Sequence, residues 1–286
     1  MQKPLRKKKR DIGGIVLTVL FSLVCILYVM PIVEVLINSF KTHSAINTDT
    51  FALPNAGTFA GTSNYVKGMT FGNYPFLKSL LYSIVITILS VTLILLCTSM
   101  AAWFISRVGG RFSRLFYLGC VFSMIVPFQM VMFPLVSVAN DLYLNTPWTI
   151  PVIYLGFGAG LAVFMFAGFM KTVPLEIEEA AMIDGCNPLQ TYFKVVFPLL
   201  RPTMVSVAIL EAMWIWNDYL LPTLVLDVQK YKTIPMLIQF FKGSYGRVEW
   251  GPMMACIVLA ILPIVVLYLL GQKHIIKGVL SGAVKG

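Results

Sequence analysis

Glu211, Trp214 and Asp218 stand at i, i+3 and i+7 in a stretch, residues 203–224, that holds no other charge. On a helix that spacing puts two carboxylates and an indole on one face, with Asn217 beside Asp218. Carboxylate oxygens accept hydroxyl protons and an aromatic ring offers an amphipathic platform, so the face suits a polyhydroxylated solute such as a sugar. Entered at residue 203, the stretch carries Glu211 about 12 Å and Asp218 about 22 Å along, at about 1.5 Å per residue, inside an apolar core of about 30 Å. Ionisable groups at such depth are costly and mark functional sites by default. The plainer expectation pairs Glu211 with a neighbouring helix and places Trp216 and Tyr219 in an interfacial aromatic belt.

A second carboxylate group lies in 178–198, EEAAMIDGCNPLQTYFKVVFP, between two long apolar runs. Pro174 suits a first helical turn, and Glu176, Glu178 and Glu179 favour the positive end of the helix dipole. Gly185 suits the left-handed position after a helix. Asn187, Pro188 and Gln190 then supply cap, first residue and reciprocal capping partner of another helix. The expectation is a helix, a tight turn and a second helix. Ile177, Ala180, Ala181 and Asp184 fall near one face, where small side chains admit a partner backbone and a carboxylate can meet a basic group. This is either a docking knob or an amphipathic hairpin lying on a bilayer.

Other chemistry is excluded by the motifs. No G-x-x-x-x-G-K-[ST] phosphate loop occurs, so ATP hydrolysis by this chain alone is not expected. His43 and His274 stand in separate polar intervals without an H-E-x-x-H or paired-cysteine cluster, so neither metal nor catalytic site is expected. Cys25, Cys97, Cys120, Cys186 and Cys256 show no CxxC spacing and read as packing residues. Glu34 reads as a near-interface residue rather than a ligand.

These groups need elements to hold them, and composition says which. The chain has 58% hydrophobic and 12% charged residues, the charge being about half the usual share of about 25%. Uncharged runs exceed the roughly 20 residues that cross a bilayer as a helix, so the fold class is all-α and polytopic. Six spans are expected, at 12–37, 79–105, 115–133, 151–170, 203–224 and 250–272. The first follows a basic arm, 1–11, is too long for a cleaved signal and is followed by no A-x-A-like site, so it reads as an anchor. Lys and Arg number fifteen on the side of both termini and seven on the other, which predicts cytoplasmic termini. The net charge of +10 then belongs to topology rather than to nucleic acid. The resulting plan is an outer loop at 38–78, a transmembrane domain at 79–272 with a cytoplasmic loop at 172–201 and an outer loop at 225–249, and a tail at 273–286. Gly156 and Gly160, with Gly158 between them, make a small-xxx-small pattern, expected to seat a close helix.

The run Glu179-Ala180-Ala181-x-x-Asp184-Gly185, followed by Val195-x-Phe197-Pro198, resembles the EAA motif of ABC importer membrane subunits. Cys186 replaces the family's usual alanine, and Val195 and Phe197 its isoleucine and leucine. Trp216-Asn217-Asp218-Tyr219 through Pro222, the stretch from Tyr245 to Cys256 with one extra residue before Trp250, and the tail 272–286 are similar to the carbohydrate-importing branch, the permeases like the second maltose-transporter permease.

The resemblance implies a type I permease that pairs with a homologous second permease, rests on two ATPase subunits carrying ATP and magnesium, and receives a sugar from an extracytoplasmic binding protein. It implies ATPase coupling by Glu179, Ala180, Ala181, Asp184 and Gly185, and no cofactor or catalytic residue in this chain. It also implies binding-protein contact by Ser244, Tyr245 and Arg247, and ATPase contact by an extended 278–286. Glu211, Trp214, Asn217 and Asp218 remain the candidate substrate pathway, although the partner permease is an alternative holder of the sugar. The same machine for a non-sugar solute is one alternative. An ion-coupled secondary transporter is another, but its inverted repeats and broken helices around a site are not evident.

Overall fold

The computed structural model describes residues 12–70, 74–242 and 248–283, and for 273–283 the backbone course. The described elements are helices. In order they are α1 (Ile12–Asn38), α2 (His43–Thr48), α3 (Ser63–Thr70), α4 (Phe76–Val108), α5 (Gly110–Phe122), α6 (Phe128–Asp141), α7 (Pro151–Met170), α8 (Leu175–Ile183), α9 (Pro188–Thr191), a π segment (Tyr192–Val196), α10 (Phe197–Leu199), α11 (Arg201–Asn217), α12 (Leu220–Val225), α13 (Ile234–Phe240) and α14 (Trp250–Ala283). Four are long and apolar enough to cross a membrane: Gly13–Asn38, Phe76–Val108, Pro151–Met170 and Trp250–Gln272. A fifth arises if Pro188–Leu199 and Arg201–Asn217, which meet at 75°, form one bent span.

Two of the six expected spans are therefore not single helices. The expected 115–133 is divided between α5 and α6, because Pro127 disfavours helical backbone in the residue before it and itself adopts an extended ψ of 134°. The expected 203–224 ends as a helix at Asn217. Pro222 has no amide to give the carbonyl four residues back, that of Asp218, and its ring crowds that carbonyl. Asp218 turns to an extended ψ of 122° and α12 starts anew.

The chain forms two compact units, Met1–Met69 with Gly243–Leu259 and Thr70–Lys242 with Ala260–Gly286. In the first, the side chains of α1 from 15 to 33 are exposed, as expected of an apolar helix whose solvent is lipid. The segment after it is folded. Lys41 is fully buried and donates from Nζ to the carbonyls of Asp49 at 2.9 Å and Thr50 at 3.0 Å. Asn64 is buried too, donating from Nδ2 to the carbonyls of Ser39 at 2.9 Å and Lys41 at 2.8 Å. A buried ammonium or amide is tolerated because carbonyls replace its water.

In the second unit α4 packs along α7, and α11 lies against both. Ile86, Ile94 and Ala102 of α4, Tyr154, Ala162, Phe166 and Met170 of α7, and Val207 and Ile215 of α11 make the core. The buried face of α4 alternates these with Ser79, Ser83, Ser90 and Ser99, small enough for helices to approach closely in lipid. The expected Gly156 and Gly160 seam is corrected. A Cβ at Gly156 would meet nothing within 4 Å, whereas one at Gly160 would lie 2.8 Å from the Cys120 carbonyl of α5. The second close approach falls at Gly158, where a Cβ would meet Ile94 Cδ1 at 2.7 Å and Glu211 Oε2 at 2.9 Å. Two residues apart on a helix is about 200°, so these glycines fit α7 between neighbours on nearly opposite sides.

Candidate functional site

The interval after α7 folds as a helical hairpin. Pro174 is the cap of α8 rather than part of its first turn, with ψ at 138°. Gly185 has φ at +86°, its amide donates to the Met182 carbonyl at 3.0 Å, and the Cys186 amide reaches the Ala181 carbonyl at 3.0 Å. This pair of bonds closes the helix end around a left-handed residue. Asn187 Oδ1 accepts from the Gln190 amide at 2.9 Å while Gln190 Oε1 accepts from the Asn187 amide at 3.0 Å, the reciprocal cap the sequence predicts. The π segment follows, with the Phe197 amide donating to the Tyr192 carbonyl five residues back.

The exposed side of α8 departs from the expected face at Ala181, with Ile177, Ala180 and Asp184 exposed as that face requires. Ala181 is buried together with Glu178, while Glu179, Ala180, Asp184 and Gly185 are exposed and Ile183 is 86% exposed. Met182, Ile183 and Leu189 thus give the hairpin an apolar exposed surface beside its carboxylates.

From the sequence Glu178 is expected only to favour the helix dipole, and its role in the fold is larger. It is 3% exposed. Its Oε1 accepts from Arg107 Nε at 2.9 Å and pairs with Nη2 at 2.7 Å, and its Oε2 accepts from Trp103 Nε1 at 2.8 Å. Arg107 Nη2 also donates to the Val173 carbonyl at 2.9 Å. One turn further up α4, Ser99 Oγ and Tyr192 Oη share a 2.6 Å hydrogen bond.

In the bundle, Glu211 is 2% exposed and faces Gly158 on α7. Trp214 is half-exposed and sets its ring edge-on to Tyr154, with centroids 5.5 Å apart and planes at 87°. Asp218 Oδ2 accepts from Tyr154 Oη at 3.0 Å, while Oδ1 accepts from the amides of Leu220 at 2.9 Å and Leu221 at 3.3 Å. Because α11 stops at Asn217, Asp218 is not on the continuing helical face the i, i+3, i+7 spacing implied. The three are instead gathered by one partner helix, through Tyr154 and, a turn on, Gly158. Tyr154 was missed by sequence reasoning; its signal was a phenol in a glycine-rich apolar run, where a buried hydroxyl needs a partner. Asn217 Nδ2 donates to the Met213 carbonyl of its own helix at 2.7 Å. Trp216 is buried and donates to the Ala260 carbonyl at 3.2 Å, so it packs within the bundle rather than in an interfacial belt. A separate cleft of about 370 Å³ between α4, α11 and α14 is lined by Ile84, Ile88, Val91, Ile209, Pro263 and Leu267. It offers a polar solute almost no partners.

Lys78 of the expected outer loop 38–78 and Lys232 of that at 225–249 both lie over the ring of Tyr74, with Nζ 4.7 and 4.4 Å from its centroid. Burial and the Lys78 charge lower the pKa of Lys232, and burial pushes the Tyr74 phenol up to about 12. Tyr74 Oη donates to the Lys230 carbonyl and accepts the Lys232 amide, both at 3.0 Å. Ser244, Tyr245 and Arg247 lie outside the described residues, as do the arm 1–11 and residues 284–286. The tail expected to be extended from 278 is helical through Ala283. Among the described residues no three His, Cys, Asp or Glu side chains group as a metal site.

Residues 94–281 match the family model of the binding-protein-dependent transport system inner membrane component. The chain is 35% identical, over 97% of its own length and 99% of the relative's, to a probable starch degradation products transport system permease protein of Thermoanaerobacterium thermosulfurigenes. It is 34% identical, over 98% and 100% of the two chains, to a multiple sugar-binding transport system permease protein of Streptococcus mutans. It is 30% identical, over 95% and 96%, to a melibiose/raffinose/stachyose import permease protein of Bacillus subtilis.

Proposed function

The chain belongs to the binding-protein-dependent transport system inner membrane components and is a permease of carbohydrate ABC import, and we propose that its α8–α9 hairpin is the part that receives work from ATPase subunits. The observation that carries this is the hairpin itself. Its turn is closed around a positive-φ glycine, its base is tied into the bundle through Glu178, and its opposite side is left exposed with Glu179, Ala180 and Asp184 beside Ile183. Ala181 is buried, so in this reading it serves the packing of α8 while its exposed neighbours meet the partner.

In this reading a homologous second permease completes the pathway and a pair of ATPases holds ATP and magnesium. An extracytoplasmic binding protein delivers a sugar or oligosaccharide to the face bearing residues 244, 245 and 247. Six crossings are made by α1, α4, the broken pair α5 and α6, α7, α11 with α12, and α14. Both termini lie in the cytoplasm, on the side with the larger Lys and Arg count. Glu211 and Trp214 remain the pathway candidates with capacity to spare, since Asp218 and Asn217 have hydrogen bonds within the chain. The test is reconstitution of both permeases, the ATPases and the binding protein in liposomes, with a glycan panel. Hydrolysis stimulated by an oligosaccharide is expected. Stimulation by amino acids or polyamines alone would overturn the substrate class.

A further inference from the structure

We infer that Glu178 is a positioning residue that clamps α8 to the end of α4, so that displacement of the exposed hairpin moves a bundle helix instead of bending the loop; this rests on the coupling role proposed above. Ser99, Trp103 and Arg107 recur every four residues on α4 and so share a face. Each of the three engages the interval after α7. Ser99 meets Tyr192, and Trp103 meets both the Tyr192 ring, 5.4 Å between centroids, and Glu178. Arg107 meets Glu178 and the Val173 carbonyl.

The chemistry at Glu178 suits position more than bulk stability. A buried ion pair contributes little net stability compared with apolar packing of the same volume, yet loss of one partner is costly and the geometry is directional. Here both carboxylate oxygens are taken by donors on one helix, two of the three bonds coming from a planar guanidinium. The same guanidinium spans from Glu178 to the carbonyl of Val173, which lies between α7 and α8. Two α4 residues thereby fix both the start of α8 and its buried side. A lysine at 107 has one nitrogen and lacks the fork needed to satisfy both acceptors in this geometry. α4 in turn packs along α7 and α11, which carry Tyr154, Gly158 and Glu211.

The test uses the full chain in its complex and two independent readouts. The first is amide hydrogen exchange across 175–183 in the wild type, Glu178→Gln, Arg107→Lys and the Glu178→Gln/Arg107→Lys double variant. About tenfold faster exchange there in each single variant, with 192–199 unchanged and the double no worse than either single, is expected of residues acting as one unit. The second is sugar imported per ATP hydrolysed, expected to fall about fivefold while ATPase copurification stays at the wild-type level. Unchanged exchange in 175–183 would overturn the clamp. Faster exchange with an unchanged transport ratio would overturn its role in transmission. If the wild-type complex itself recruits no ATPase or imports no sugar, the coupling reading fails, and the exchange experiment still decides the clamp.

Discussion

Tyr154 donates its phenolic proton to Asp218 Oδ2 across 3.0 Å, and that bond occupies the one carboxylate oxygen not already capping α12. An acidic residue inside an apolar span invites a substrate role, but here each oxygen has a partner from the chain itself. Asp218→Ala removes the cap and the phenol's acceptor together, and is expected to lower stability by about 2 kcal/mol. Asp218→Asn keeps an oxygen for the Leu220 and Leu221 amides and is expected to cost less than about 1 kcal/mol. Thermal unfolding of the purified variants in detergent measures both. A loss in Asp218→Asn as large as that in Asp218→Ala would show that charge, not capping, is what matters there.

The α7 glycines give a paired prediction. Gly158→Ala forces a methyl against Ile94 and Glu211 and is expected to destabilise by about 1–3 kcal/mol. Gly156→Ala meets nothing within 4 Å and is expected to be neutral, or stabilising through helix propensity by up to about 1 kcal/mol. The same unfolding assay orders them. Equal effects would remove the assignment of Gly158 to the α4–α11 side.

Gly185→Pro is expected to abolish coupled transport while the protein still inserts. Proline fixes φ near about −65°, against the +86° observed, and removes the amide that donates to Met182. The check is sugar uptake, ATPase copurification and sugar-stimulated hydrolysis in one membrane preparation. Wild-type values in all three would end the coupling assignment for the hairpin.

Asn64→Ala is expected to loosen the fold after α1. It leaves the Ser39 and Lys41 carbonyls without their buried donor, at about 1–3 kcal/mol for each unmet group. Limited proteolysis should cut 39–69 faster in the variant, with no change in 175–199. Resistance equal to the wild type would mean that other contacts hold that segment.

Local chemistry was legible in the sequence, and distant pairing was not. Gly185 and the Asn187–Gln190 cap are decided within four residues of chain, and the hairpin follows the expected turn at both. α1, α4 and α7 were legible for the same reason, since a run of apolar residues needs no partner to declare itself. The divided third and fifth spans were not, although Pro127 and Pro222 were in view, because proline is tolerated in membrane helices and its effect depends on what re-satisfies the backbone. For the fifth span that was the Asp218 side chain. Glu178 and Arg107 stand 71 residues apart, and Tyr154 and Asp218 stand 64 apart. No period within a helix can reveal such pairs. The glycine spacing at 156 and 160 pointed to the wrong member of a triplet, because which glycine faces a neighbour is set by that neighbour's position.

The π segment at Tyr192–Val196 holds its hydrogen bonds five residues apart, so it carries one residue more than the α turn that could replace it. Deleting one residue there would let an α ladder form and leave the following helix near its present phase, because the wide turn takes five residues round about as far as an α turn takes four. Phe197, Pro198 and the entry to α11 would keep their present faces together. Substitution at the exposed Phe193 or Lys194 leaves that angular phase untouched. Along this stretch the chain therefore accommodates a missing letter as well as altered ones, and the wide turn between Thr191 and Phe197 acts as slack that keeps everything after it in register.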